Sequence, residues 1–247
     1  MADLITSSSL RERLRAYTTA RVAMGRVGSA VLTRDMLDFQ LAHARARDAV
    51  HNGLPEGAFG VALHGQPVVE VRSQAPDRAT YLMRPDLGRR LNPEDLPRLA
   101  RERAQLAIVI ADGLSATAVL AHAADLAGAV IARAGRWRVG PLVVARQARV
   151  ALGDDIGEAL GADLVVVLIG ERPGLSAADS LSVYLTWKPV RGRMDSERNC
   201  ISNIRPPEGW SIEAAADEIM RIAATARLLE KTGVGLFNGD VTALPAG

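Results

Sequence analysis

Three short apolar runs constrain this chain most: LAIVIA at 106–111, PLVVAR at 141–146 and LVVVLIG at 164–170, each separated from the next by a helix-patterned stretch. Runs of that length without polar alternation suit strands buried on both faces, and strands that alternate with helices need crossover connections. The predicted fold class is therefore α/β: a three-layer arrangement around a mostly parallel, Rossmann- or flavodoxin-like sheet. DGLSATAVLAHAADLAGAVIARAG reads as an Ala-rich helix stopped by Gly135, and ALGDDIGEALG reads as a short one. LSVYLTW at 181–187 is a candidate fourth strand, and Ser211 caps a closing helix from about Ile212 to Lys231.

The stretch ahead of residue 91 has a different pattern. Ser9 and Glu12 have the spacing of a capping box, followed by Leu10, Leu14 and Tyr17 at helical intervals. Two glycines in MGRVGS interrupt this helix, after which Thr33 caps a second, TRDMLDFQLAHARARDAVH, with Leu37, Leu41 and Ala44 on one face. Its His43, Arg45, Arg47, Asp48 and His51 are read as a solvated or partner-facing surface. From Phe59 onward, apolar pieces broken by Pro and Gly predict irregular or short strand segments, until Asn92-Pro93 open another helix. The expected division is a helical arm with an irregular connection over 1–90 and an α/β domain over 91–247.

Composition excludes several functions. Hydrophobic residues make up 48% and charged ones 23%, enough for a sizeable core, while a net charge of +2 nominates no polyanion, so no nucleic-acid partner is expected. Arginine supplies all but Lys188 and Lys231 of the 30 basic residues, a bias best explained by codon composition. No apolar run approaches the roughly 18 residues of a membrane span, and the N-terminus lacks the order of a secretory signal, so a cytoplasmic location is expected. One cysteine, Cys200, rules out an internal disulfide and a multi-cysteine metal site. The four histidines show no metal-ligand spacing, and neither a G-x-G-x-x-G loop between strand and helix nor a P-loop occurs. GVGLFNG follows a helix and reads as its cap and tail.

Attention then falls on the carboxyl ends of the strands, where open α/β sheets hold ligands. Asp112-Gly113-Leu114-Ser115, Arg149-Val150 and Gly170-Glu171-Arg172-Pro173-Gly174 would form a shelf on one edge. Each has a purely structural alternative: Asp112 and Ser115 as helix caps, Glu171 as a partner of Arg172 or another neighbour. The segment 197–206, ERNCISNIRP, shows neither helical nor strand period and reads as a packed loop. Cys200 within it has no neighbouring histidine, which suits a small hydrophobe better than a nucleophile.

MLDFQLAHARARDAVH, YLMRPDLGRRL, VIADGLSATA, RVALGDDIGEALGADLVVVLIGERPGL and ERNCISNIRP together closely resemble the small subunit of ethanolamine ammonia-lyase, in order and over nearly the whole chain. The resemblance implies a hetero-oligomeric lyase that uses adenosylcobalamin to convert ethanolamine to acetaldehyde and ammonia by a radical route. The catalytic barrel would belong to a separate large subunit, and this chain would close over the cobalamin at the junction. Three cofactor-contacting positions carry over by motif: Val150 in ARVALGD, Glu171 in GERPGL and Cys200 in NCISNI. None has an acid or base role, and no catalytic residue is expected on this chain. No Asp-x-His-x-x-Gly occurs, so the cofactor is expected base-on, without a protein ligand to cobalt. Some relatives carry a longer leader that loads a bacterial microcompartment; here shell loading would have to come from the large subunit or another signal. The competing reading is a free-standing small-molecule module on a flavodoxin-like sheet; a nucleotide-dependent dehydrogenase is disfavoured by the missing glycine loop.

Overall fold

The computed structural model describes residues 13–14, 17–18, 21–22, 24, 26–99 and 103–237. The capping box at Ser9 and Glu12 lies outside them, as does most of the helix expected there. The described elements are β1 (Arg26–Val27), β2 (Ala30–Val31), α1 (Thr33–His51), β3 (Ala62–Leu63), β4 (Gln66–Arg72), α2 (Arg78–Met83), β5 (Leu106–Ala111), α3 (Ala116–Arg133), β6 (Val139–Arg146), α4 (Leu152–Leu160), β7 (Leu164–Gly170), β8 (Leu181–Trp187), β9 (Asn199–Ile204), α5 (Ile212–Leu229) and α6 (Val234–Phe237).

Strands β3 to β9 form one sheet in the order β3-β4-β6-β5-β7-β8-β9. β4, β6, β5 and β7 are parallel neighbours. β3, β8 and β9 each pair antiparallel. The sheet is thus mixed, which corrects the expectation of a mostly parallel, Rossmann- or flavodoxin-like one. The reason lies in the connections: no α-helix separates β7 from β8, and only a three-residue 3-10 turn, Asp195–Glu197, lies between β8 and β9, so without a crossover each strand returns antiparallel to its neighbour. β4, from the stretch before residue 91, pairs in register with β6 and so belongs to the same sheet.

Within β5, Leu106, Ile108 and Ile110 point to one face, while Ala107, Val109 and Ala111 point to the other. Strand β7 divides its residues the same way, which is why both runs had to be apolar throughout. Helices α3 and α5 cover the first face, and α4 covers the second. Each fully buried Val, Leu or Ile contributes roughly 1.5–3 kcal/mol relative to exposure. α3 has the length and mean hydropathy, 1.3 over 18 residues, of a membrane span. Here its Ala116, Ala118, Val119, Ala123, Leu126, Ala127 and Val130 are buried in the core instead.

Several local expectations change. Thr33 is the first residue of α1 and not its cap; Leu32 holds that position without a side-chain hydrogen bond. α1 buries Asp35, Ala42 and Ala49, so the apolar face read from the sequence lies outside, with Leu37 58% and Leu41 51% exposed. Asn92 does cap the next element, accepting the Glu94 N–H at 3.1 Å, but the element is a 3-10 helix, Pro93–Arg98. Its second proline, Pro97, lacks the N–H that a continuing α-helix would use. The cap of α5 is Glu230 at φ 52°, and Gly233 instead leads into α6. The segment around Cys200 is a strand, β9, at the sheet edge; there only one face is packed, so its polar residues obscure the alternation.

Candidate functional site

Because β6, β5 and β7 are parallel neighbours, their carboxyl ends and the loops that follow lie side by side. Asp112, 1% exposed, accepts the backbone N–H groups of Gln147 and Ala148, both at 2.9 Å, and so ties the end of β5 to the end of β6. Arg78 Nη1 donates to the same carboxylate at 3.2 Å and to the Gly113 carbonyl at 2.9 Å. Its Nε donates to the Val50 carbonyl of α1 at 2.9 Å. One guanidinium therefore anchors α1 and α2 to the sheet edge. Burial pushes the Asp112 carboxyl pKa up, against the opposing pull of the Ala148 amide, Arg78 and the Gln147 amide. Ser115 is the N-cap of α3, accepting the Ala118 N–H at 3.1 Å. Asp112 is thus a strut and Ser115 a cap.

The loops after β5 and β7 touch backbone to backbone. Leu114 N–H donates to the Gly170 carbonyl at 3.0 Å. A Cβ on Gly113 would meet that same carbonyl, and one on Gly170 would meet the Ser115 carbonyl. Only glycine permits this approach, which sets where the following residue, Glu171, begins.

The Glu171 carboxylate accepts from the Ser182 hydroxyl and, at 2.9 Å, from the Asn203 N–H. Its partners are thus on β8 and β9 and not Arg172. Register places Tyr184 of β8 directly opposite Cys200 of β9. Ser182, Tyr184 and Thr186 alternate with Leu181, Val183 and Leu185, so the polar trio faces away from α3 and α5. On that side α4 covers β7 but stops short of the edge strands, where Cys200 and Ser202 are exposed. Val150, in the turn before α4, is half-buried and rests on the same cluster as Tyr184.

The site's electrostatics follow from partial burial. Desolvation pushes the Tyr184 hydroxyl up to about 12, with Cys200 and Glu171 acting in the same direction. Desolvation also raises the Cys200 thiol; the Tyr184 and Ser182 hydroxyls pull it back, and Glu171 adds to the rise. The thiol therefore stays protonated near neutral pH, as a wall group does and an activated nucleophile does not. The entry to β9 is fixed by Arg198, which donates to both oxygens of Asp154 at 2.7 Å, each partner 1% exposed. Arg198 also donates to Thr186 Oγ1 at 2.8 Å.

Of the residues named from sequence, Glu171 and Cys200 are joined through Ser182 and Tyr184, and Val150 sits on the flank of that row. Ser182, Tyr184 and Asn203 were missed. The period-two alternation in LSVYLTW was the available signal for the first two; Asn203 enters through its backbone N–H, which no sequence pattern marks.

A family model described as "Ethanolamine ammonia-lyase light chain (EutC)" matches residues 9–237. Three relatives described as "Ethanolamine ammonia-lyase small subunit" match most of the chain. The protein of Bradyrhizobium diazoefficiens is 52% identical over 240 residues, covering 94% of this chain and 92% of its own length. That of Rhodopseudomonas palustris is 51% identical, covering 94% and 90%. That of Rhodococcus erythropolis is 45% identical, covering 90% and 88%. Matches of this extent, which take in the row at Glu171 and Cys200, show that the chain belongs to the ethanolamine ammonia-lyase light-chain family.

Proposed function

We propose that this chain is the small subunit of an adenosylcobalamin-dependent ethanolamine ammonia-lyase and holds the cofactor against a catalytic large subunit in the cytoplasm. The observation that carries this reading is the row Glu171, Ser182, Tyr184 and Cys200 on a sheet face that α4 leaves open. A corrin is a wide apolar plate rimmed by amides, and this face suits it: small or flat side chains in the middle, a carboxylate at one end to accept from an amide or hydroxyl. When bound, the cofactor supplies the radical that starts the conversion of ethanolamine to acetaldehyde and ammonia.

This chain's residues orient and enclose; none is assigned proton transfer. Glu171, already accepting from Ser182 and Asn203, keeps lone pairs for a cofactor donor. Val150 and Cys200 offer small walls beside it. His64 Nε2 meets the Ala124 carbonyl at 2.8 Å and His122 lies 4.0 Å from Asp179, while His43 and His51 belong to α1. The lack of an Asp-x-His-x-x-Gly motif in the sequence supports a base-on cofactor. The reading also requires a partner surface, and α1 offers Met36, Leu37, Phe39 and Leu41, each 41–58% exposed.

The experiment is co-production with the large subunit, followed by purification and a cobalamin titration read by absorbance. A stable complex with cobalamin-dependent ethanolamine deamination is expected. Tight cobalamin binding by this chain alone, with no association, would favour the free-standing module instead.

A further inference from the structure

Beside the row, a buried ion pair joins the two elements that carry Val150 and Cys200. The terminal nitrogens of Arg198 donate to the two oxygens of Asp154, each at 2.7 Å, and each side chain is 1% exposed. The same guanidinium donates to Thr186 Oγ1 at 2.8 Å and to the Arg193 carbonyl at 2.9 Å. Asp154 lies one helical turn past Val150, in the first turn of α4. Arg198 stands two residues before Cys200 and, by the period of a strand, on the same side of the sheet. Neither side chain is open to a ligand.

A pair of this kind adds little as a stabiliser. Taking both charges out of water costs several kcal/mol per ion, and apolar residues of similar volume are often as stabilising or more so. Burial pushes the Asp154 carboxyl pKa up, against the pull of Arg198. Arg198 Nε is left buried without a hydrogen bond, 3.6 Å from exposed Asp195. What the pair adds over apolar contact is direction. A guanidinium fork on a carboxylate fixes distance and angle together, whereas apolar burial is non-directional.

α4 needs such a fix. Its N-cap, Ala151, makes no side-chain hydrogen bond. Packing sets how near the helix comes to the sheet, since a Cβ on Gly153 would meet the Val167 side chain. The distance from the start of α4 to β9 is set by the fork.

We propose that Arg198 is a positioning residue, which through Asp154 sets the span between the Val150 turn and Cys200 and thereby the fit of the cofactor between them. The inference rests on the cofactor reading above; Arg198 itself makes no contact with the cofactor.

The test compares the unaltered chain with D154L/R198M, which replaces the pair by apolar residues, and with R198K, which keeps the charge and loses the fork. Two quantities are read from each. The first is the span: V150C is introduced into the full chain, whose one native cysteine is Cys200, both are spin-labelled, and the spacing is read from dipolar broadening. The second is the cyanocobalamin dissociation constant of the unlabelled chain assembled with its large subunit. D154L/R198M should melt near the unaltered chain, yet broaden the spacing and raise the constant about tenfold or more, as loss of an outer support does. R198K should do the same to both quantities, and it decides alone if D154L/R198M does not fold. An unchanged spacing or an unchanged constant in a folded variant would overturn the proposal. If the unaltered complex binds no cobalamin, the cofactor reading falls by itself, and the spacing still judges whether Arg198 sets the span.

Discussion

The carboxylate of Glu171, one residue past the end of β7, accepts the backbone N–H of Asn203 on β9 at 2.9 Å, bridging two strands that are not neighbours in the sheet. Ser182 on the intervening strand donates to the same oxygen, so one side chain clamps the carboxyl end of β7 to the open edge.

Glu171→Gln keeps an acceptor oxygen in place for both partners and removes the charge. The melting temperature should hardly move, whereas cobalamin affinity of the complex should fall by about tenfold or more, as for one charge-assisted bond. An unaltered dissociation constant would reduce Glu171 to a clamp.

Cys200→Ser preserves size and should change cobalamin affinity little, while Cys200→Trp fills the open face opposite Tyr184 and should abolish binding. Because the thiol pKa is raised, alkylation of Cys200 should reach its half-maximal rate at a higher pH than a free cysteine, near 8.5. Saturating cobalamin should suppress it; equal labelling rates with and without cofactor would place the corrin elsewhere.

Arg78 and Asp112 form a buried pair at the sheet edge, with Arg78 12% and Asp112 1% exposed at the side chain. Arg78→Ala leaves that carboxylate buried without its cation and should cost about 3 kcal/mol or more by urea denaturation, freeing the end of α1 as well. A loss near zero would mean water replaces the guanidinium.

The raised pKa of Asp112 fixes the sign of a pH effect. The unfolded chain releases this proton at a lower pH than the folded one, so the group's stabilisation is complete below about pH 4 and is lost as pH rises through the folded value. Relative to Asp112→Asn, which cannot titrate, the wild type should lose stability as pH rises above about 4 towards the raised folded value. A difference that is flat or grows with pH would show the carboxyl is ionised throughout.

Leu37→Asp with Leu41→Asp alters the exposed apolar side of α1 without touching its buried Asp35, Ala42 and Ala49. The chain should fold as before by circular dichroism and fail to co-purify with the large subunit. Undiminished complex formation would move the interface away from α1.

Much was legible in the order of residues. LAIVIA and LVVVLIG had to be strands covered on both faces, because every second side chain serves a different core. The loops at Asp112, Val150 and Glu171 could be assigned to one edge because parallel strands share their carboxyl ends. Pattern also marked the family, since GERPGL and NCISNI are short, specific strings that need no fold to be read.

Strand direction and facing were settled only by the packed chain. The antiparallel return of β8 and the strand character of β9 rest on hydrogen bonds to neighbours far along the sequence, and an edge strand hides its period by leaving one side to solvent. The outward turn of Leu37 and Leu41 was hidden for the same reason: periodicity says which residues share a side of a helix, but burial depends on which side meets another surface. Local order therefore determined the elements and the motifs. Contacts between distant residues decided their directions, and so which side chains stand together on the open face.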